Sequence, residues 1–370
     1  MNPDTATDAD TRFMALALSL GRRAQGNAWP NPAVGCVIEK DGRILGRGWT
    51  APGGRPHAEV AALAQAGARA RGATAHVTLE PCAHHGETPP CAQALVDAGI
   101  ARVVAPLQDS DPRVSGRGFE MLRAAGIEVH TGVLADRAAH DLAGFFLSRE
   151  AGRPWLTLKL ATSVDGRIAT ATGESQWITG PQARRAVHAM RASHDAVLVG
   201  AGTVRADDPM LTVRGLGPVP CQPVRVVASR RLDLPLTGQL AQSARQVPLW
   251  LCHGDRTDPM TRGAWEGLGA RLLPCAAGGR QIDPEAMLRT LGAEGLTRVF
   301  CEGGGALAAS LLMAGLVDEL ICITAGVALG AEGQPGIGAL GLERLADAPR
   351  MVLAESRAIG PDVLHRWRRG

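Results

Sequence analysis

The 370-residue chain has no tyrosine and only 3% aromatic residues, so it offers few faces on which exposed bases would stack. Its first 150 residues also lack a basic field. They carry 15 Lys+Arg against 16 Asp+Glu, while the remainder carries 24 against 20. Nucleic-acid binding draws on clustered positive charge, so both shortages favour a small-molecule substrate and argue against nucleic acid. No hydrophobic run approaches the ~20 residues of a membrane span, which argues against a membrane role. The acidic start Met1-Asn2-Pro3-Asp4 has no signal-peptide pattern. Eight cysteines without small-domain spacing fit a reducing cytoplasm better than a disulfide framework. Short repeats and low-complexity tracts are absent as well.

What is present suits a two-domain α/β protein. The length is comfortable for two cores, and the polar stretch Ser148–Pro154 after Phe145-Phe146 divides the chain into domains 1–150 and 151–370. In the first, Asp10 is expected to cap a helix bearing Phe13, Met14, Leu16 and Leu18. Asp41-Gly42 between two apolar runs predicts a hairpin. Helices are expected from His57 to Ala70, from near Pro89 and from Phe119 to Ala125, with strands at 75–79, 102–105 and 127–129. Two leading strands followed by alternating α and β elements imply a three-layer α/β sheet. In the second domain, strands are expected at 155–160, 195–199, 224–228, 248–252, 298–301 and 319–324, and a helix over 306–314.

The chemistry concentrates in His57-Ala58-Glu59, Pro81-Cys82 and Cys91. One imidazole and two thiols suit a catalytic zinc, which takes three protein ligands and leaves a fourth position open. A glutamate two residues after the histidine is placed to move protons rather than to bind metal, and this spacing is the signature of zinc deaminases acting on nucleobase-like rings. The interval between the cysteines is longer than in that signature. Cys36, Cys221, Cys252, Cys275, Cys301 and Cys322 sit mostly in apolar company and are expected to pack in the core. His76 lies in a strand and reads as packed; His84, in the cysteine loop, can face a substrate. Asn31, fixed between Pro30 and Pro32, reads first as a turn residue, with an amide presented to a ring or ribose as the alternative.

In the second half, Lys159 interrupts an apolar strand, which requires a partner for its amine. Gly303-Gly304-Gly305 before a helix fits a flexible turn as well as a pyrophosphate cradle, and the full dinucleotide fingerprint is missing. Asp207 before Asp208-Pro209 is either a turn former or a proton-handling group.

These pieces together resemble the bifunctional deaminase–reductase family of riboflavin biosynthesis. The resemblance runs through Asn31–Cys36, His57–Val60, Thr78–Cys82 and Thr88–Cys91. It continues through Lys159–Ala161, Ser163–Arg167, Gly173–Thr179, Arg205–Pro209, Leu211–Arg214 and Glu302–Gly304. It implies an N-terminal cytidine-deaminase-like domain and a C-terminal domain similar in fold to dihydrofolate reductase. The implied reactions are a zinc-dependent deamination of a phosphoribosyl-pyrimidine and an NADPH-dependent reduction of the deaminated product. A dimer or tetramer is implied as well. By the resemblance, His57, Cys82 and Cys91 hold zinc, and Glu59, Lys159 and Asp207 are catalytic. Asn31, His84, Ser175, Arg191, Leu211, Arg214 and Glu302 contact substrate. Ala161, Trp177, Thr203, Asp207, Ser229 and the run Gly303, Gly304, Gly305, Ala306, Leu307, Ala308, Ala309, Ser310 contact NADPH. Arg230 and Arg231, which follow an expected strand, fit a solvated basic loop as well as a site for the NADPH 2′-phosphate. Thr50, Ala83 and Glu87 depart from the family pattern, the last placing a carboxylate in a loop expected near the substrate phosphate. The competing readings are a nucleic-acid or free-base deaminase with an accessory domain, and a zinc-stabilised binding module.

Overall fold

The computed structural model describes residues 7–83, 89–111, 114–279 and 281–370. The chain falls into two compact units, Met1–Gly152 and Arg153–Gly370.

The first unit contains α1 (Asp8–Gly21), β1 (Gly35–Lys40), β2 (Arg43–Trp49), α2 (Ala58–Ala66) and β3 (Thr74–Val77). It continues with α3 (Cys91–Asp97), β4 (Arg102–Ala105), α4 (Arg117–Ala124), β5 (Glu128–Thr131) and α5 (Ala135–Glu150). The strands form one sheet in the order β2-β1-β3-β4-β5, antiparallel over the first three and parallel from β3 to β5. The hairpin turn holds Asp41 and Gly42 at φ 51° and 76°, the left-handed pair that a two-residue connection of this twist requires. Strand alternation gives the sheet two buried faces. Cys36, Ile38, Ala75, Val77, Val103 and Ala105 pack with α2, α3 and α4, whereas Val37 and Val104 pack with α1. That is the three-layer arrangement expected. Gly46 and Gly48 let α2 lie directly on β2, since a Cβ at either would stand 2.1 Å from an α2 carbonyl oxygen.

One boundary is corrected. Thr7 caps α1, and Asp10 is the third helical residue of a reciprocal capping box. Asp10 is buried and also receives Arg102 at 2.6 Å; one carboxylate thus serves both a helix start and β4.

The second unit begins with β6 (Trp155–Ser163), β7 (Arg167–Ala169), α6 (Pro181–Ala192), β8 (Ala196–Gly200) and α7 (Ala201–Asp207). Next come β9 (Val224–Ala228), α8 (Gln239–Gln242), β10 (Leu249–Gly254), α9 (Pro259–Leu268) and β11 (Arg271–Cys275). The rest comprises β12 (Ala277–Gly278), β13 (Gln281–Ile282), α10 (Pro284–Ala293), β14 (Arg298–Cys301), α11 (Gly305–Met313), β15 (Glu319–Ala325), β16 (Gln334–Pro335), β17 (Val352–Ile359) and β18 (Asp362–Arg368). Its main sheet runs β11-β10-β9-β8-β14-β6-β15-β18-β17. Pairing is parallel from β11 to β15, and the terminal hairpin β17–β18 adds two antiparallel strands. The chain leaves β6 towards β8 and β11, then returns to place β14 in the gap between β6 and β8. Strand ends at such a reversal are where α/β sheets bind ligands. Among the six cysteines expected in the core, Cys36, Cys252, Cys275 and Cys301 are buried and Cys322 is half-buried, but Cys221 is exposed. It lies in the irregular segment before β9, outside any packed face.

Candidate active sites

Two helix starts and one strand end build the first site. His57 is the residue immediately before α2, Cys91 is the first residue of α3, and Cys82 follows the end of β3. Helix N-termini present free N–H groups and the positive end of the helix dipole, which favour thiolate. Accordingly, the Cys91 backbone N–H donates to Cys82 Sγ at 3.3 Å. His57 Nδ1 lies 3.2 Å from Cys91 Sγ and 3.8 Å from Cys82 Sγ, and the three ligand atoms fall within 4.8 Å of one another. A tetrahedral zinc with ordinary Zn–N and Zn–S lengths sets such N···S edges at about 3.5 Å. The donor set therefore fits zinc without rearrangement. Without metal, hydrogen bonding from Cys91 draws the Cys82 thiol down to about 4, with His57 reinforcing it. Cys91 is pushed up by that same hydrogen bond and by burial. Glu59, in the first turn of α2, is buried and hydrogen-bonds Cys91; burial pushes its carboxyl up to about 7, and the neighbouring Cys82 adds to the rise.

Asn31 packs on the segment that leads into His57. Its side chain lies against Gly54, where a Cβ would stand 1.9 Å from Asn31 Nδ2, and Gly54 is three residues before His57. Thr50 is buried, accepting from Val34 N–H at 3.0 Å and donating to Pro32 O at 2.9 Å. Its hydroxyl therefore braces the Asn31-Pro32 turn. His84 and Glu87 lie outside the described residues. Sequence reasoning gave no role to Glu80, which is buried and accepts backbone N–H bonds from Asp109, Gly116, Gly118 and Phe119 at 2.9–3.4 Å. It ties the residues leading to Cys82 to the start of α4. A glutamate immediately before a Pro-Cys turn was the available signal.

The second site is a cavity of about 1140 Å³ at the C-terminal ends of β6, β8, β9 and β14. That is ample for a dinucleotide together with a substrate, since pockets for small ligands run to about 1,000 Å³. Lys159, Ala161, Ser175, Thr203, Asp207, Ser229 and the run Glu302–Leu307 all contribute to its wall. Glu302 bridges two cations: Arg191 Nε reaches one oxygen at 2.5 Å and Lys159 Nζ the other at 3.5 Å. Burial works to raise Glu302, but Arg191 and Lys159 outweigh it and hold the carboxyl below its ordinary value. Asp207, at the end of α7, remains solvent-accessible, and partial desolvation raises its carboxyl. The three glycines differ in role. A Cβ on Gly303 would stand 2.6 Å from Leu307 and one on Gly305 2.5 Å from Pro335 O, while Gly304 is comparatively open beside Thr203. Gly304 precedes α11 without a side-chain cap, so the helix start can receive an anion. Arg230 and Arg231 join the same wall.

The other expected positions lie apart from the cavity wall. Ala308 and Ala309 are buried, turned to the core side of α11, and Ser310 follows them. Leu211 is packed in the β8–β10 core and holds φ 56°, a left-handed conformation that disfavours leucine. The Arg214 N–H donates to His188 on α6 at 3.2 Å, and Arg191 from the same helix donates to Thr212 O at 2.9 Å. This segment is thereby linked to Glu302 through Arg191. Trp177 is exposed, with the Arg184 guanidinium 4.8 Å from its ring centre. Sequence reasoning missed Ile168, Ala169, Gln334, Pro335 and Gly338, which also line the cavity; the glycine- and proline-rich stretch 333–338 was their visible trace.

Residues 154–365 match the RibD C-terminal domain family, and residues 7–106 match the cytidine and deoxycytidylate deaminase zinc-binding region. The riboflavin biosynthesis protein RibD of Escherichia coli is 44% identical over 365 residues, covering 96% of this chain and 98% of that protein. The chain belongs to the RibD family. The RibD structure from Acinetobacter baumannii superposes with a TM-score of 0.86 at 38% identity, covering 97% of this chain and 98% of that one. A Thermotoga maritima structure, described as a diaminohydroxyphosphoribosylaminopyrimidine deaminase/5-amino-6-(5-phosphoribosylamino)uracil reductase, superposes at 0.85 with 32% identity, covering 98% and 99%. As a RibD family member, the chain is a bifunctional enzyme of riboflavin biosynthesis, a zinc-dependent deaminase and an NADPH-dependent reductase. None of its described helices is long and apolar enough to cross a membrane.

Proposed function

We propose that the first unit hydrolytically deaminates 2,5-diamino-6-ribosylamino-4(3H)-pyrimidinone 5′-phosphate, and that the second reduces the resulting 5-amino-6-(5-phosphoribosylamino)uracil to its ribityl product. The observation that carries this reading is the convergence of His57 Nδ1 with Cys82 and Cys91 beside buried Glu59. Those three side chains hold zinc, which when bound supplies the Lewis acidity that makes water ionisable near neutral pH. Glu59 takes one proton from the attacking water and delivers it to a ring nitrogen, then takes the second from the hydroxyl newly formed on the ring carbon and gives it to the amine as the C–N bond breaks and the carbonyl forms. One water is consumed for each ammonia released. Asn31 and His84 hold the ring and ribose.

In the second unit, Ala161, Thr203, Ser229 and Gly303–Leu307 receive the dinucleotide, with Ala308–Ser310 supporting the helix behind them and Trp177 offering a flat face. Arg230 and Arg231 face the 2′-phosphate. NADPH supplies the hydride. Lys159 and Asp207 handle the proton that reaches the ribose ring oxygen as the C1′–O4′ bond opens, while Glu302 fixes Lys159 and Arg191. Ser175, Leu211 and Arg214 shape the substrate side. The residue ranges 1–150 and 151–370 bound the two activities.

We also place the enzyme in the cytoplasm, a reading supported by its eight free cysteines, and as a dimer or tetramer on the family resemblance. Supplied with the diaminopyrimidine phosphate, the zinc-loaded chain should release ammonia and then oxidise NADPH. Chelation should abolish ammonia release and spare reduction of supplied aminouracil. Ammonia release that survives complete zinc removal would contradict the reading.

A further inference from the structure

The motif Ser163-Val164-Asp165-Gly166-Arg167 has no part in the chemistry above, yet it anchors one wall of the reductase cavity. Asp165 sits in the turn between β6 and β7. Its Oδ2 accepts the Gly330 N–H at 2.8 Å, its Oδ1 accepts the Leu329 N–H at 3.1 Å, and the Ser163 hydroxyl donates to Oδ1 at 2.5 Å. Ser163 Oγ in turn accepts the Arg167 N–H at 2.9 Å. These bonds, the one from Ser163 foremost, hold the Asp165 carboxyl down at about 2, so it is a full anion at working pH.

The segment it grips, 327–338, runs directly to the cavity. Val164 N–H donates to Val327 O at 2.8 Å, and β16 pairs with β7. Gly336 N–H donates to Gly166 O at 3.0 Å, and Gly338 N–H donates to Gly305 O at 2.9 Å. Gln334, Pro335 and Gly338 then form cavity wall adjoining the glycine run of α11. The approach is close: a Cβ on Gly305 would stand 2.5 Å from Pro335 O, and one on Gly336 3.1 Å from Thr162. Both close approaches therefore depend on where 327–338 is held. Where its side-chain anchoring begins is the Asp165 carboxylate.

We infer that Asp165 is a positioning residue for dinucleotide binding, fixing segment 327–338 against the α11 glycines so that the two together form one continuous wall for the cofactor. This rests on the reading of the cavity as the NADPH site. Asp165 makes its bonds to Ser163 and to the backbone of Leu329 and Gly330 rather than to Lys159 or Asp207, so its effect falls on cofactor affinity rather than on the chemical step.

The test is NADPH titration of the full zinc-loaded chain by fluorescence, alongside amide hydrogen exchange of 327–338. Asp165→Ala should weaken NADPH binding about tenfold, the scale of losing a charge-assisted hydrogen bond, and should speed exchange at Leu329 and Gly330. Asp165→Asn keeps an acceptor oxygen without the charge and should lose about threefold, so it gives a reading even where the alanine variant fails to fold. In turnover, KM for NADPH should rise with little change in kcat, and ammonia release should be unaffected. Wild-type binding with unchanged affinity in both variants overturns the inference alone, as does a fall in kcat at constant KM. A wild-type chain that binds no NADPH overturns the reductase reading and this inference with it.

Discussion

The two units of this chain solve the problem of site construction differently. The first unit places its reactive groups within 35 residues, at the starts of α2 and α3 and the end of β3. Side chains do nearly all the work there, because a metal demands particular atoms at particular distances. The second unit gathers its cavity from β6 to the segment after β15, with glycines, strand ends and a few cations. Backbone does much of the work, because a large dinucleotide needs shape and N–H groups more than unusual side chains. A metal site is thus written in local residue spacing, whereas a dinucleotide site is written in topology.

That contrast can be broken most sharply at Lys159. Replacing it by methionine should lower reduction of supplied aminouracil by about 10²–10⁴-fold, the range for losing a proton-handling group, and leave ammonia release unchanged. Equal loss of both activities in a folded variant would erase the division of labour. A stability experiment addresses the first unit. Glu80→Ala strands several buried N–H groups and should reduce its stability by about 3 kcal/mol, read by denaturant unfolding. A change within error would remove Glu80 from the support of the Cys82 turn.

A pH comparison sets one buried histidine in each unit side by side. Burial lowers both His76 and His194 to about 4, while in an unfolded chain a histidine takes its proton near 6.5. Protonation therefore favours the unfolded state. Stability should be full at pH 7, fall as pH drops through about 6.5 and level off near 4, with each histidine contributing up to about 3 kcal/mol. The two are not equivalent. His194 hydrogen-bonds Met190 O at 2.7 Å and Thr157 Oγ1 at 3.1 Å, whereas neither ring nitrogen of His76 has a hydrogen-bond partner among the described residues. Hence His76→Leu should flatten the acid slope with little loss at pH 7, and His194→Leu should destabilise at both pH values. Identical behaviour of the two variants would dissolve the distinction.

How far the sequence was legible follows the same division. Strands at 102–105, 224–228 and 298–301 were read to the residue because each is a short apolar run between turn signals. The terminal hairpin β17–β18 was missed, since β17 is an edge strand with a mostly exposed pattern and little apolar periodicity. At the helix start, Asp10 carried the capping signal, but Thr7 was the residue with room to cap. In the metal site, His57, Cys82 and Cys91 were legible from spacing alone, whereas Glu80 was not, because its four donors come from 29 to 39 residues away. In the cavity, the glycine run was visible but its inward limit was not. Helical rotation turns Ala308 and Ala309 to the core, a fact that position in a motif does not encode.

One chain carries two chemically separate sites. Glu59→Gln preserves size and removes the carboxylate, so the full zinc-loaded variant should be given first the diaminopyrimidine phosphate and then the aminouracil. Ammonia release should fall by about 10²–10⁴-fold while NADPH oxidation stays at the wild-type rate. Ammonia release at the wild-type rate, or loss of both activities in a folded variant, would contradict two separate sites with Glu59 serving the first.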